Sequence, residues 1–496
     1  MTKPAWNAAE QRAYAKEFAA TVSGNFIGGQ WTPSSSSDII EVDDPSTGEH
    51  VGSVPSSAAE DADAAVAAAR AAQRAWAKTP PSARSQALLR VAAAVEDHFE
   101  EMVALESLDA GKPVTAVRDD ELPGVLDAMR YFASAGRTSS AQAGGDYLDG
   151  ISSTMRREPC GVVVGITPWN YPLLQAVAKV FPALVTGNTV VVKPAETTPY
   201  STALLVELAG GVLPPGVLNI VFGTGAVVGD ALSRHPEVDV VSFTGSVDTG
   251  RKVGIAAADG VKKAVLELGG NSPVLVFADA DLPSALDAIA AGALYNTGQE
   301  CMSATRVIVE VSIVDDVIEG LKQRCEQYVV GDALDPKTTV GPMNSAAQLA
   351  RVVAKLDDLP AKARVVLGGT VDRHGGGYFF PPTIIVGADQ DDDVVAEEIF
   401  GPVLTVQTFT DEADALAKAN GTRYGLASSV FTSNVGTASR VQNELNFGTV
   451  WVNNHLVFGP DLPVSGFGHS GIGTENADAG FLEFTRVKHV MIDNRL

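Results

Sequence analysis

Cysteine is scarce in this sequence. Three occur in 496 residues, Cys160, Cys301 and Cys325, far apart. They make no disulfide framework and no C-x-x-C metal pattern. The seven histidines do not cluster and there is no H-E-x-x-H, which excludes a zinc site of that kind. No G-x-S-x-G elbow is present. Basic residues are few: 36 Lys and Arg stand against 60 Asp and Glu, a net charge of −24. Such a balance argues against nucleic-acid or anionic-membrane partners, which need a basic patch. No apolar run is long enough to cross a bilayer, and the start, MTKPAWNAAE, has no apolar signal core. The expectation is a soluble, cytoplasmic protein with reduced thiols and no metal.

What is present reads as α/β. Residues 22–57 hold short apolar runs broken by Gly, Pro, Asn and Ser, as strands and turns do. Two helices are expected next, Ala58 to Lys78 and Ser82 to Leu108, with Gly111 as a stop. From Cys160, short β-branched runs alternate with helical stretches: VVVGI, TVVVK, LNIVF, VVSFT and AVLEL. These runs are continuously apolar, so both faces of the sheet are covered, as in a doubly wound, Rossmann-like parallel sheet. A second α/β run extends from SPVLVFAD to about Val452. Two isolated strand signals remain, a hairpin over 145–159 and TRVKHVMID near the end. They form either a protruding sheet that pairs across subunits or edge strands on the main body.

Two glycine patterns miss their templates. GTGAVVG (223–229) has one residue too many before its last glycine and reads as a turn into a helix. GSVDTGRK (245–252) places its lysine one position late for a P-loop and lacks the following Ser or Thr. Ser246 nonetheless opens a helix, and Gly245 permits close approach to the backbone. The pair is either a phosphate site at a helix N-terminus or a plain Ser cap.

The polar, glycine-bearing stretch NTGQEC (296–301) does not read as core, although a lone Cys is usually a small buried hydrophobe. A thiol of ordinary acidity needs activation at neutral pH. Glu267, in LELGGN at the end of an apolar strand, is a candidate general base, directly or through water.

Together these stretches resemble the NAD(P)-dependent aldehyde dehydrogenase superfamily. PWNYP (168–172), VVKPAE (191–196), FTGS (243–246), LELGGNSP (266–273), GQEC (298–301) and EEIFGPV (397–403) occur in the family's order. The resemblance spans about residue 25 to the end. It implies Cys301 as nucleophile, Asn170 with the Cys301 N–H as oxyanion hole, and Glu267 as activator of the hydrolytic water. It implies NAD as cofactor, with Lys193 and Glu196 at the adenine ribose and Gly245 and Ser246 at the pyrophosphate. Ile166, Thr167, Pro168, Trp169 and Leu268 would line the groove, with Glu398 and Phe400 at the nicotinamide ribose and ring. A carboxylate at Glu196 accepts from a ribose 2′-hydroxyl and repels a 2′-phosphate, which favours NAD over NADP. The resemblance further implies a NAD-binding domain (1–135 and 159–267), a catalytic domain (268–474) and oligomerisation strands (136–158 and 475–496) in a homodimer or homotetramer.

Within the superfamily the chain is most similar to the aminoaldehyde group, which includes γ-aminobutyraldehyde and betaine aldehyde dehydrogenases. The similar stretches are 111–133, 143–150 and 156–163. An ω-amino aldehyde such as 4-aminobutyraldehyde calls for carboxylates and aromatic faces. Asp120 and Glu121 fall at the tunnel mouth by this resemblance, or else form a solvated helix face. Tyr171, Tyr295, Phe458 and Val464 fall on the tunnel wall. The sequence departs where the group has tryptophan: Ala178 and Val464 stand there instead. SGFGHSG (465–471) also replaces the usual lysine by Gly468. General aliphatic or aromatic aldehydes, a semialdehyde, a CoA-acylating reaction and a non-catalytic scaffold are the alternatives. Glu267 argues against CoA acylation, and the retained Cys301, Asn170, Lys193 and Glu398 argue against a scaffold.

Overall fold

The computed structural model describes residues 5–138, 144–371 and 376–495. Residues 1–4 of the expected NAD-binding unit, 372–375 of the expected catalytic unit, and 139–143 and 496 of the expected oligomerisation segments lie outside it. The fold is α/β, with an eight-stranded sheet, a seven-stranded sheet and two small ones.

In the first sheet, Val162–Ile166, Thr189–Lys193 and Val240–Thr244 are buried along their whole length, as their unbroken apolar runs require. Val162–Ile166 pairs in parallel with Thr189–Lys193 on one side and Val240–Thr244 on the other. The chain therefore winds outward in both directions from this strand. Its carboxyl end opens a crevice, the usual ligand position in such sheets. Register places Ile166 beside Lys193 and Thr244 beside Glu267. The helix Val247–Asp259 follows, capped by Ser246, whose side chain accepts from the Thr249 N–H.

The strand Lys263–Glu267 ends the first sheet's parallel run, and Pro273–Val276 begins the second. Only Leu268–Ser272 separates them, so the two sheets meet at the LELGGN stretch. In the second sheet, Pro273–Val276 lies between Arg306–Glu310 and Ala427–Phe431, all parallel. The helix Leu282–Leu294 ends just before NTGQEC, as expected, and Arg306–Glu310 starts after it.

The hairpin Gly145–Leu148 and Ile151–Pro159 forms, and Thr485–Asp493 pairs antiparallel with it in a separate three-stranded sheet of the same chain. The isolated strands are thus not edges of the main body. The small sheet takes only Thr485–Asp493 of the tail. Phe481 and Phe484 share a hydrophobic core with Val163, Val190 and Val240 of the first sheet, and Gly471–Ile472 joins that sheet beside Leu266 and Glu267.

Two other differences have local causes. The helix expected over Ser82–Leu108 is two, Pro81–Asp97 and Phe99–Ala110, broken where His98 leaves helical geometry. Gly111 then stops the second with φ +75°, a left-handed cap suited to glycine. A helix absent from the sequence reading, Ala8–Thr21, is held by a capping box between Asn7 and Glu10. Among the described residues no helix is long and apolar enough to cross a membrane, and no group of His, Cys, Asp or Glu side chains is placed to hold a metal ion.

Candidate active site

Cys301 sits on a turn whose backbone is strained. Asn296, Thr297 and Gly298 adopt positive φ of 48°, 59° and 68°. Side-chain amides offset that strain. Asn296 Nδ2 donates to the carbonyls of Asn170 and Gln299, and Asn170 Nδ2 donates to Gln299 O at 2.9 Å. A side chain at Gly298 would place its Cβ 2.2 Å from Gly401 O, so only glycine fits. The turn thereby joins PWNYP, GQEC and the segment after EEIF in one constellation.

The Cys301 thiol is half-buried and donates to Glu300 Oε1 at 3.1 Å. Burial, then the carboxylates of Glu300 and Glu267, push it well above an ordinary thiol. Its resting form is therefore the protonated thiol. Glu267 is buried and its Oε1 has no hydrogen-bond partner among the described residues. Burial, then Glu475, hold its carboxyl well above the usual range, while Lys179 opposes them. Lys179 Nζ itself bonds Gln175 Oε1 (2.8 Å), Thr244 Oγ1 (2.6 Å) and Glu475 Oε1 (2.8 Å).

Both groups open onto a cavity of about 1020 Å³ between the two sheets. Of the sequence-derived candidates, Pro168, Trp169, Asn170, Gly245, Ser246, Leu268, Glu398 and Phe400 line it. So do Asp120, Glu121, Tyr171, Tyr295, Phe458 and Val464. Ile166, Thr167, Lys193 and Glu196 do not line it. They lie at the adjoining strand ends, where the Thr167 N–H donates to Lys193 O at 3.1 Å.

On the cofactor-like side, Glu196 Oε1 accepts from the Gly225 N–H at 2.6 Å and faces Lys193 Nζ at 3.5 Å. Glu398 Oε1 accepts from the Gly270 N–H at 2.9 Å, and burial raises its carboxyl to about 8 against that bond. A Cβ at Gly269 would fall 2.2 Å from Glu398 Oε2, and one at Gly270 would fall 2.0 Å from the backbone oxygen of Cys301, so the second glycine lets the strand end pass close under the Cys301 turn. Phe400, at φ +59°, stands edge-on to Trp169 with ring centres 5.2 Å apart.

On the other side, Asp120 is exposed and accepts from the Tyr295 hydroxyl at 2.6 Å. Glu121 is not on a solvated face. It is buried, and both its oxygens accept from Lys112 Nζ, at 2.6 and 2.7 Å. Lys112 also reaches Glu106 at 3.2 Å and lies over the Tyr171 ring, 3.9 Å from its centre. Ala178 and Val464 line the cavity, with Gly124, Ala128, Leu174 and Val457 as further small or aliphatic wall.

Several residues here escaped the sequence reading. Lys112, Lys179 and Glu475 meet their partners only through the fold. His455 is buried beside the Cys301 turn, bonding Met302 O at 2.9 Å and Ser429 Oγ at 2.5 Å; burial lowers it to about 4, so it is neutral. Glu300 was visible as a neighbour of Cys301 but not as its hydrogen-bond acceptor.

The aldehyde dehydrogenase family model matches residues 31–490. The chain belongs to the aldehyde dehydrogenase family. It is 40% identical over 480 residues to a phenylacetaldehyde dehydrogenase of Pseudomonas fluorescens, covering 94% of this chain and 95% of that protein. It is 39% identical over 478 residues to a betaine aldehyde dehydrogenase of Rhizobium meliloti, covering 95% and 97%. The crystal structure of betaine aldehyde dehydrogenase from Staphylococcus aureus in complex with NAD⁺ superimposes with a TM-score of 0.95 at 35% identity, covering 98% of each chain. The protein is an NAD-dependent aldehyde dehydrogenase.

Proposed function

We propose that this enzyme oxidises neutral aldehydes with a bulky apolar group, such as an aryl ring, to carboxylic acids. The observation that carries this reading is the occupied cation site. An ammonium-bearing substrate needs a free carboxylate and an open aromatic face. Lys112 already binds both oxygens of Glu121 and one face of Tyr171. Displacing it breaks a buried ion pair, at about 3–5 kcal/mol. A desolvated cation–π contact returns only about 2 kcal/mol. The small and aliphatic wall at Ala178 and Val464 leaves width for a ring instead, and the similarity to a phenylacetaldehyde dehydrogenase points the same way.

An aminoaldehyde such as 4-aminobutyraldehyde remains a second reading. Asp120 on the cavity wall supports it, as does similarity to betaine aldehyde dehydrogenases. Carboxylate-bearing semialdehydes are disfavoured, because Asp120 and Glu300 line the cavity.

In this reading Cys301 attacks the carbonyl. The Asn170 amide has a second N–H beyond the one given to Gln299, and it joins the Cys301 backbone N–H in holding the oxyanion. The cofactor residues fit a dinucleotide. The exposed helix start at Ser246 offers N–H groups to a pyrophosphate, and Glu196 and Lys193 at the strand ends suit the adenine ribose. Glu398 and Phe400 hold the nicotinamide ribose and ring, and Ile166, Thr167, Pro168, Trp169 and Leu268 line the groove. When bound, NAD supplies the hydride acceptor. Glu267 then activates the water that releases the acid from the Cys301 thioester, which favours hydrolysis over transfer to CoA. The divisions 1–135 with 159–267, and 268–474, correspond to the NAD-binding and catalytic units in this reading. The small sheet exposes Tyr147, Leu148, Val487, Met491 and Ile492, which suits a homodimer or homotetramer.

The test is kcat/KM with NAD⁺ over phenylacetaldehyde, benzaldehyde, butyraldehyde, betaine aldehyde and 4-aminobutyraldehyde. Preference for the first two supports the reading. Preference for the cationic pair replaces it with the second.

A further inference from the structure

Glu267 is expected to act on water, but the thiol is in contact with a different carboxylate. Cys301 Sγ donates to Glu300 Oε1 at 3.1 Å, and the same oxygen accepts from the Met302 N–H at 3.2 Å. A nucleophile in hydrogen-bond reach of a base, with that base oriented by a third group, is the arrangement by which weak nucleophiles are activated. No hydrogen bond joins Glu267 to the thiol. Glu300 is buried and lines the reaction cavity, and no ion pair engages it among the described residues.

We propose that Glu300 is a catalytic residue of this enzyme, the general base that takes the proton of Cys301 as the thiol attacks the aldehyde. The S–H bond breaks and the proton passes to Glu300 Oε1. The sulfur electron pair forms the C–S bond to the carbonyl carbon, and the carbonyl π pair moves to oxygen as the oxyanion. No oxidant enters this step. Transfer concerted with attack suits a thiol whose free ionisation is suppressed by burial and by neighbouring carboxylates. The labour is thereby split: Glu300 serves acylation and Glu267 serves deacylation. Met302 N–H fixes the direction of the carboxylate, and His455 in turn holds the Met302 carbonyl.

The inference rests on aldehyde oxidation through Cys301 and not on which aldehyde is preferred, so propionaldehyde serves as the probe. The experiment is the pre-steady-state burst of NADH from Glu300→Gln, Glu300→Asp and Glu267→Gln, each across pH 6–9.5. The expected result is a burst rate lowered about a hundredfold or more in Glu300→Gln, the scale of a lost general base. Glu300→Asp should recover part of it. Glu267→Gln should keep its burst and lose steady turnover. A burst in Glu300→Gln within about threefold of the parent would overturn the proposal, since a base supplies far more than that. Loss of the burst in Glu267→Gln would overturn it as well, and that arm stands even if Glu300→Gln does not fold. Substrate preference measured on the parent enzyme is read separately, so failure of the neutral-aldehyde reading leaves these outcomes interpretable.

Discussion

Glu121 gives both of its carboxylate oxygens to one ammonium, that of Lys112, at 2.6 and 2.7 Å. A carboxylate so engaged has little left for a ligand. Glu121→Gln should therefore change kcat/KM for betaine aldehyde and 4-aminobutyraldehyde by no more than about twofold, since the pair with Glu106 still compensates Lys112. A selective loss for the cationic substrates would show that Glu121 does meet them.

The same substitution has a stability signature. Glu106 and Lys112 face Glu121 from the preceding segment, with Tyr171 and Tyr295 on the cavity side and Asp120 adjacent. Burial first, with Glu106, raises the Glu121 carboxyl to about 8 despite Lys112. Because the folded value lies above the ordinary 4.5, the native state holds the proton more tightly than the unfolded chain. Stability falls as pH rises from about 4.5 through about 8. Glu121→Gln lacks this component, so its Tm should drop less between pH 6 and pH 9 than that of the parent. Equal drops would rule the coupling out.

Glu267 predicts a pH dependence of turnover. Burial and Glu475 keep its carboxyl protonated well above the usual range, and only the ionised form accepts a proton from water. Where deacylation limits the rate, kcat should climb toward alkaline pH in the parent enzyme. Glu267→Gln should be slow at every pH and lose that climb. A flat parent profile under single-turnover deacylation would remove Glu267 from the step.

Val464 tests the width of the cavity. Val464→Trp places a large ring where the wall is now small and aliphatic. The expected effect is a fall of about tenfold or more in kcat/KM for phenylacetaldehyde, the scale of a few kcal/mol for overpacking, with propionaldehyde little changed. Equal effects on both would mean that the ring does not lie there.

Glu196 tests cofactor choice. Its carboxylate is held by the Gly225 N–H and faces Lys193. Glu196→Gln removes the charge that repels a 2′-phosphate, so the NADP-to-NAD ratio of kcat/KM should rise about tenfold, near the 1.4 kcal/mol of one lost charge contact. Titration by cofactor fluorescence provides the same comparison without turnover.

The strand ends at Ile166, Lys193, Thr244 and Glu267 were legible because buried parallel strands advertise themselves as unbroken apolar runs. The Cys301 turn was legible as a polar interruption after a helix. The surroundings of Glu121 were not. Lys112 is nearby in sequence, but a π-helical turn over Val117–Glu121 and burial on the far side of Tyr171 bring the pair together. Lys179 and Glu475 are 296 residues apart in sequence, and no local pattern signals such a contact. The helix Ala8–Thr21 did have a signal, Asn7 followed three residues later by Glu10, that the sequence reading passed over.

The small sheet joins Pro159 to Thr485, segments about three hundred residues apart in synthesis. At roughly 5–20 residues per second on a ribosome, the hairpin waits tens of seconds for its third strand. During that interval Ile151–Pro159 offers an unpaired edge of the kind that recruits other chains. Gly471, which seals the strand carrying Glu267, arrives in the same late stretch. The nascent chain thus holds its nucleophile well before its reaction chamber is closed, and chaperone demand should concentrate in that window.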